Sequence, residues 1–113
     1  MVVHFWGVTC GPCLTEMGQW GQFVSQEVGP VVFVQVDDVS KEITSNLAKR
    51  MHIDKSPNYF LRSKFDEFLR YEIDPKWTGE IPYTITIDKN GMQKAYSGHT
   101  KFKTLQAWFK KNS

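Results

Sequence analysis

Hydrophobic and polar positions along the chain change period several times, and each change marks an element. Met1 to Trp6 is apolar apart from His4, which predicts a short buried strand ended by Gly7. From Cys13 to Val28, the positions Leu14, Met17, Gly21, Val24 and Val28 recur at spacings of three and four. That is one face of a helix of about four turns, stopped by Gly29-Pro30. Val31 to Val36 is almost unbroken in β-branched residues, the pattern of a strand covered on both faces in a parallel sheet. Strand, helix and strand together make a βαβ unit. Downstream, Asp38 or Ser40 can cap a second helix carrying Ile43, Leu47 and Met51 on one stripe. Pro57 to Leu61 predicts a short strand, and Phe65, Phe68 and Leu69 a third, shorter helix, with Tyr59, Phe60, Phe65 and Phe68 expected in the core. Glu72 to Ile81 contains Asp-Pro and Thr-Gly breakers and no periodicity, so a loop is expected. Tyr83 to Asp88 alternates strictly, as a half-buried strand does. Lys89-Asn90-Gly91 is a hairpin turn, and Met92 to Ser97 the return strand. Thr100 opens a last helix with Phe102, Leu105, Trp108 and Phe109 inward, and Lys110 and Lys111 at the carboxyl end suit its dipole.

The predicted fold class is therefore α/β: a mixed sheet with a parallel βαβ portion, a C-terminal antiparallel hairpin, flanking helices and a central strand-helix pair. Residues 1–113 read as one domain, without repeats or linkers. Composition agrees: 41% apolar and 14% aromatic residues exclude a disordered chain, which lacks the apolar surface to offset its ordering entropy. Fourteen basic against twelve acidic residues leave +2 with the signs interspersed. A nucleic-acid binder needs a concentrated basic face, so no nucleic-acid partner is expected. No apolar run approaches the roughly 18 residues of a membrane span, and no leader with a cleavage site is visible. The first strand starts at residue 1 with no flanking segment, so a preceding segment carrying a signal or anchor is expected in the natural protein.

Two cysteines are present, both within Cys10-Gly11-Pro12-Cys13. Adjacent cysteines close only a tiny ring, which excludes a long-range disulfide framework. On the predicted map Cys10 ends the strand-to-helix turn and Cys13 lies in the first turn of the helix. The unpaired N–H groups and positive dipole end there stabilise a thiolate at Cys10, lowering its pKa from about 8.5. Pro12 suits the first helical turn, where a missing N–H costs nothing. Cys13, one turn on, can attack a mixed disulfide at Cys10 and release the partner. Half a zinc site is the competing reading, but zinc wants four ligands and only the scattered His4, His52 and His99 remain, so no metal is expected. An inert core pair fits poorly with Gly-Pro at a helix start. Redox chemistry is the better reading, with the Cys10–Cys13 disulfide itself as the redox group and no separate cofactor.

The segment Phe5-Trp6-Gly7-Val8-Thr9-Cys10-Gly11-Pro12-Cys13 resembles the active-site stretch of the thioredoxin superfamily, and Gly11-Pro12 is the pair found in its reducing members. Ile81-Pro82 before an alternating strand is similar to the family's cis-proline loop, which faces the cysteines. Asp88-Lys89-Asn90-Gly91 and Ser97-Gly98 resemble the family's hairpin and the glycine after it. The resemblance covers nearly the whole chain, except that thioredoxin's own first strand and helix have no counterpart. Cys13-Leu14-Thr15-Glu16-Met17 and the strand-helix from Pro57 to Tyr71 resemble the TlpA/ResA-like branch of thiol-disulfide reductases. The resemblance implies a thioredoxin-like fold with that central insertion, and an extracytoplasmic reductase tethered or secreted outside the cytoplasm, a cytoplasmic location being the alternative. Two residues depart from the pattern. Thr9 stands where a Trp usually precedes the first Cys, and His4 occupies the place of thioredoxin's buried acid.

The implied site comprises Cys10 as nucleophile, Cys13 as resolving thiol and Glu16 as a carboxylate able to tune or shuttle protons one turn beyond Cys13. Trp6, Gly11, Pro12, Ile81 and Pro82 are expected to line the substrate surface. A solvated first-turn role is the bland alternative for Glu16, and a buried core position is expected for His4. Trp77 is either a rim contact or a loop anchor. Expected partners are protein disulfide or thiol substrates and an upstream protein reductant, with the chain acting as a monomer. Other functional classes are a disulfide oxidase or isomerase, disfavoured by Gly-Pro, and a non-catalytic binding module. A peroxidase would want Thr where Gly7 stands.

Overall fold

The computed structural model describes residues 1–61 and 64–112. In chain order the elements are β1 (Val2–Trp6), α1 (Gly11–Ser25), β2 (Val31–Gln35), α2 (Lys41–Arg50), β3 (Asn58–Phe60), α3 (Glu67–Ile73), β4 (Tyr83–Ile87), β5 (Gln93–Ser97) and α4 (Phe102–Lys111). The strands form one sheet in the order β3-β2-β1-β4-β5. β1 and β3 run parallel to β2, while β4 is antiparallel to β1 and β5. The expected mixed sheet, with its parallel portion and C-terminal hairpin, is present.

Register divides the core. Val2 pairs with Val31 and Thr86, and His4 with Phe33 and Thr84, so these side chains share one face. On that face α1 contributes Met17, Trp20 and Phe23, α2 Ala48, and α4 Leu105 and Phe109. The alternate residues Phe5, Val36, Tyr83 and Ile85 point to the other face, where Trp77, Phe65 and Ile73 cover them. Gly21 lets α1 approach the end of α2, since a Cβ there would collide with the Met51 carbonyl.

Several expectations need correction. α1 starts at Gly11 with Cys10 as its N-cap, so Pro12 and Cys13 lie in its first turn as expected, but the helix stops early. It ends at Ser25, before Gly29-Pro30, where Glu27 adopts a left-handed φ of 52°. Ser40 caps α2, but Ile43 is 50% exposed, and Thr44 and Ala48 are its buried residues. Thr44 is drawn inward because its hydroxyl accepts a hydrogen bond at 3.0 Å from Gln35, the polar end of buried β2. β4 is buried on both faces rather than half-buried, since Thr84 and Thr86 lie on the face that α1 and α4 cover. Tyr59 and Phe68 are 59% and 74% exposed, not core. β3 is a three-residue strand at the sheet edge, and α3, running two residues into the expected loop, has no fully buried residue. Of the central insertion, residues 62 and 63 lie outside the described residues.

Candidate active site

β1 delivers the chain to the carboxyl end of the sheet, and the turn Gly7–Cys10 reverses it into α1. Cys10 and Cys13 are disulfide-bonded, with their Cα atoms 5.2 Å apart. Cys10 adopts an extended backbone, and its sulfur accepts the Cys13 N–H at 3.2 Å. A sulfur thus fills the position where Ser, Thr or Asp usually satisfies the open helix end. Its carbonyl meanwhile accepts the first helical bond, from Leu14 at 3.1 Å. Gly11 and Pro12 are exposed beside it, Cys10 is partly exposed and Cys13 is fully buried. One cysteine is reachable from solvent; the other is not.

The Ile81–Pro82 peptide bond is cis, and the Ile81 carbonyl oxygen stands 3.7 Å from the Cys10 sulfur. Ile81 is partly exposed, whereas Pro82 is buried. The loop leading to it is anchored by Trp77, whose ring stacks on Tyr83 at 4.4 Å and 6°. The same ring packs on Phe5 at 4.8 Å and Phe65 at 5.1 Å, and its N–H donates to the Glu80 carbonyl at 2.8 Å. Tyr83 donates its hydroxyl to Asp74 at 2.7 Å; burial, then that bond, pushes its pKa upward. Trp77 is a loop anchor, not a rim contact. Trp6, expected to line the substrate surface, is 1% exposed within the α1 side of the core. As an even-numbered β1 residue it points beneath the helix rather than out of the sheet's end.

Glu16 lies one turn past Cys13 and is buried. Oε1 accepts from the Thr100 hydroxyl at 2.6 Å and from Trp20 Nε1 at 3.2 Å. Oε2 accepts from the Thr100 backbone N–H at 2.9 Å. Two imidazoles flank it: His4 Nε2 at 3.4 Å from Oε1 and His99 Nδ1 at 3.5 Å from Oε2. The solvated first-turn reading of Glu16 therefore fails. His4 is buried as expected, against Trp20 at 4.5 Å, with Nδ1 and the Thr84 hydroxyl 2.8 Å apart. Burial drives its pKa down to about 3, so the ring is neutral near pH 7.

Sequence reasoning missed three participants. Thr100, expected to open α4, gives its cap chemistry to Glu16 instead, and Lys101 begins the helix with no side-chain cap. His99 shows no periodic signal because it sits in a turn. Asp37 comes after β2 and accepts both the Thr9 N–H at 2.9 Å and its hydroxyl at 2.7 Å, pinning the turn before Cys10. A Cβ on Gly7 would sit 2.7 Å from that carboxylate, so only glycine lets Asp37 this close.

No protein-family profile matches the sequence, and no curated protein matches it significantly. Solved structures do. The chain is similar to DsbF of MTB, with TM-score 0.76 and 15% identity over 99% of this chain and 79% of that one. It is also similar to a thio-disulfide isomerase from Thermus thermophilus (TM-score 0.74, 18% identity, 99% and 78% coverage). A third is a secreted Mycobacterium tuberculosis disulfide oxidoreductase homologous to E. coli DsbE (TM-score 0.71, 11% identity, 97% and 79%). With the strand order, these likenesses make the architecture a thioredoxin-like fold.

Proposed function

We propose that the chain is a thiol-disulfide oxidoreductase working on protein substrates, with the reducing direction favoured. The observation that carries this reading is the asymmetric pair at the start of α1: Cys10 partly exposed as its N-cap, Cys13 buried one turn on. In the reduced protein the Cys10 thiolate, stabilised by the helix end and the Cys13 N–H, attacks one sulfur of a substrate disulfide. A Cys10–substrate disulfide forms and the other substrate sulfur leaves as a thiolate. Cys13, deprotonated, then attacks Cys10; the Cys10–Cys13 bond forms and the second substrate thiolate departs. Two electrons have passed to the substrate, and an upstream dithiol protein restores the pair. Exposed Gly11 and Pro12 border the nucleophile, and partly exposed Ile81, its carbonyl 3.7 Å from the Cys10 sulfur, supports a reading in which an extended substrate segment pairs with this loop. Pro82, being buried, shapes that loop from below.

The Gly-Pro dipeptide supports a reductant over an oxidant. The buried Glu16 after Cys13-Leu14-Thr15 supports the TlpA/ResA-like branch. An extracytoplasmic location is supported by a structural neighbour described as secreted; no helix among the described residues is long and apolar enough to cross a membrane. Single Ser variants test the chemistry. Cys13→Ser should accumulate mixed disulfides through Cys10, and Cys10→Ser should trap none; equal trapping through Cys13 would overturn the assignment. Equilibration in glutathione buffers tests direction. A potential nearer about −270 mV than about −120 mV marks a reductant, and the reverse marks an oxidant.

A further inference from the structure

Resolution requires the Cys13 thiol of the reduced protein to lose its proton. Cys13 is fully buried, and the carboxylate one turn away, Glu16, is almost as deeply enclosed. A carboxyl group that takes this proton must pass it on before the next cycle, and its neighbours differ in their ability to help. His4, from β1, is itself fully buried and leads nowhere. Trp20 and the Thr100 backbone are donors only, and the Thr100 hydroxyl already donates to Oε1. His99, from the turn between β5 and α4, is different. Its Nδ1 stands 3.5 Å from Glu16 Oε2, while 74% of its side chain is exposed to solvent. Imidazole can take a proton on one nitrogen and release one from the other near neutral pH.

We propose that His99 is the solvent port of the site, carrying the Cys13 proton from Glu16 to water during resolution. This rests on the oxidoreductase reading above. Cys13 loses its proton to Glu16, and its sulfur attacks Cys10 while the substrate sulfur leaves with the bonding electron pair. The proton passes from Glu16 Oε2 to His99 Nδ1, and a proton leaves from Nε2 to buffer or water. His99 acts through Glu16 and touches neither sulfur in this scheme. Among the described residues, the titratable groups within 4 Å of the carboxylate are His4 from β1 and His99 from the β5–α4 turn, and Cys13 stands one helical turn before it on α1.

Reaction of the reduced full chain with dithiobis(nitrobenzoic acid) tests this, because the reagent releases one coloured thiolate when Cys10 attacks and a second when Cys13 resolves. In dilute buffer, His99→Ala should slow the second release by about a hundredfold, the lower end of what a positioned proton-transfer group supplies, and leave the first unchanged. Added imidazole should restore the second phase. His99→Gln, which keeps a polar side chain of similar length, should behave like His99→Ala. A second phase that is unchanged in both variants, or slowed without any response to imidazole, overturns the port. Should the wild-type chain give no second release, the oxidoreductase reading falls, and the port with it.

Discussion

The two faces of the sheet are built from different materials. Beneath α1 and α4, the strands present His4, Thr84 and Thr86 among the apolar residues, and α1 adds the buried carboxylate of Glu16. Across the sheet, Phe5, Trp77, Tyr83, Ile85 and Val36 make a nearly pure apolar cluster, with the two polar handles of Trp77 and Tyr83 each satisfied at its rim. The cysteine pair sits at the edge of the face that carries the buried titratable side chains His4 and Glu16. The cis-proline loop is fixed from the face that can only hold shape. On the proposed function, chemistry and substrate presentation would be supported by separate halves of one core, and perturbing each half should give a different failure.

The largest effect is expected from Trp77→Ala. It removes the ring that Phe5, Phe65 and Tyr83 pack on and the N–H that holds Glu80, at a cost of about 3–5 kcal/mol in urea unfolding. With the loop slackened, turnover of a protein disulfide should fall while reaction with a small aryl disulfide persists. Equal losses on both substrates would erase the division between the faces.

His4 provides the matching test on the polar face. Its native pKa of about 3 lies below the ordinary 6.5, so below 6.5 the unfolded chain binds a proton that the native chain refuses. The stability this neutral ring contributes is complete above 6.5 and is lost as pH falls toward 3, at about 1.4 kcal/mol per pH unit. Urea midpoints measured down a pH series should show this slope, and His4→Asn should flatten it. An unaltered slope in the variant would assign acid sensitivity to the carboxylates instead.

How much of the molecule is legible in its sequence depends on the range of the interaction. The βαβ start, the Cys10–Cys13 placement and the hairpin rest on local signals: period, Gly-Pro breaks, an Asn-Gly turn. The faces are not legible, because His4, Glu16 and Thr100 become neighbours only when β1, α1 and the β5–α4 turn are assembled; Glu16 and Thr100 are 84 residues apart. Trp6 misleads because nearness to Cys10 in sequence says nothing about which side of the strand a ring takes, and strand alternation puts it inside. Ile43 misleads because a polar strand end, Gln35, draws Thr44 inward instead.

Thr100→Val tests one of those long-range contacts with a smaller loss. It removes the 2.6 Å hydroxyl bond to Glu16 Oε1 and keeps the backbone bond, so about 1.5–3 kcal/mol should be lost, the usual range for a bond to a charged group. Glu16→Gln removes the charge at nearly constant shape. The Cys10 thiol of the reduced protein should then become more acidic and alkylate faster at low pH, because a negative neighbour no longer opposes the thiolate. An unchanged alkylation profile would leave Glu16 a purely structural group.

The smallest change in stability, and the one that cuts across the comparison, belongs to Asp37. Its backbone is held by the Gln35 side chain, which takes the Asp37 N–H at 2.5 Å and reaches its carbonyl at 3.1 Å. Its own carboxylate then holds Thr9 through two bonds, so a polar chain from β2 fixes the turn that aims Cys10. The Thr9 groups are exposed, and water replaces the lost acceptor in Asp37→Ala, so the cost should be only about 0.5–1.5 kcal/mol. Reactivity should suffer more than stability, since a turn free to wander presents Cys10 in productive geometry less often. Because the defect lies at the nucleophile itself, reaction with small aryl disulfides and with protein disulfides should slow by the same factor, unlike in Trp77→Ala. Gly7→Ala should give the same signature from the opposite side, its new Cβ pressing on the Asp37 carboxylate. If Asp37→Ala slowed only the protein substrate, the β2 loop would belong with the substrate-presenting half of the molecule.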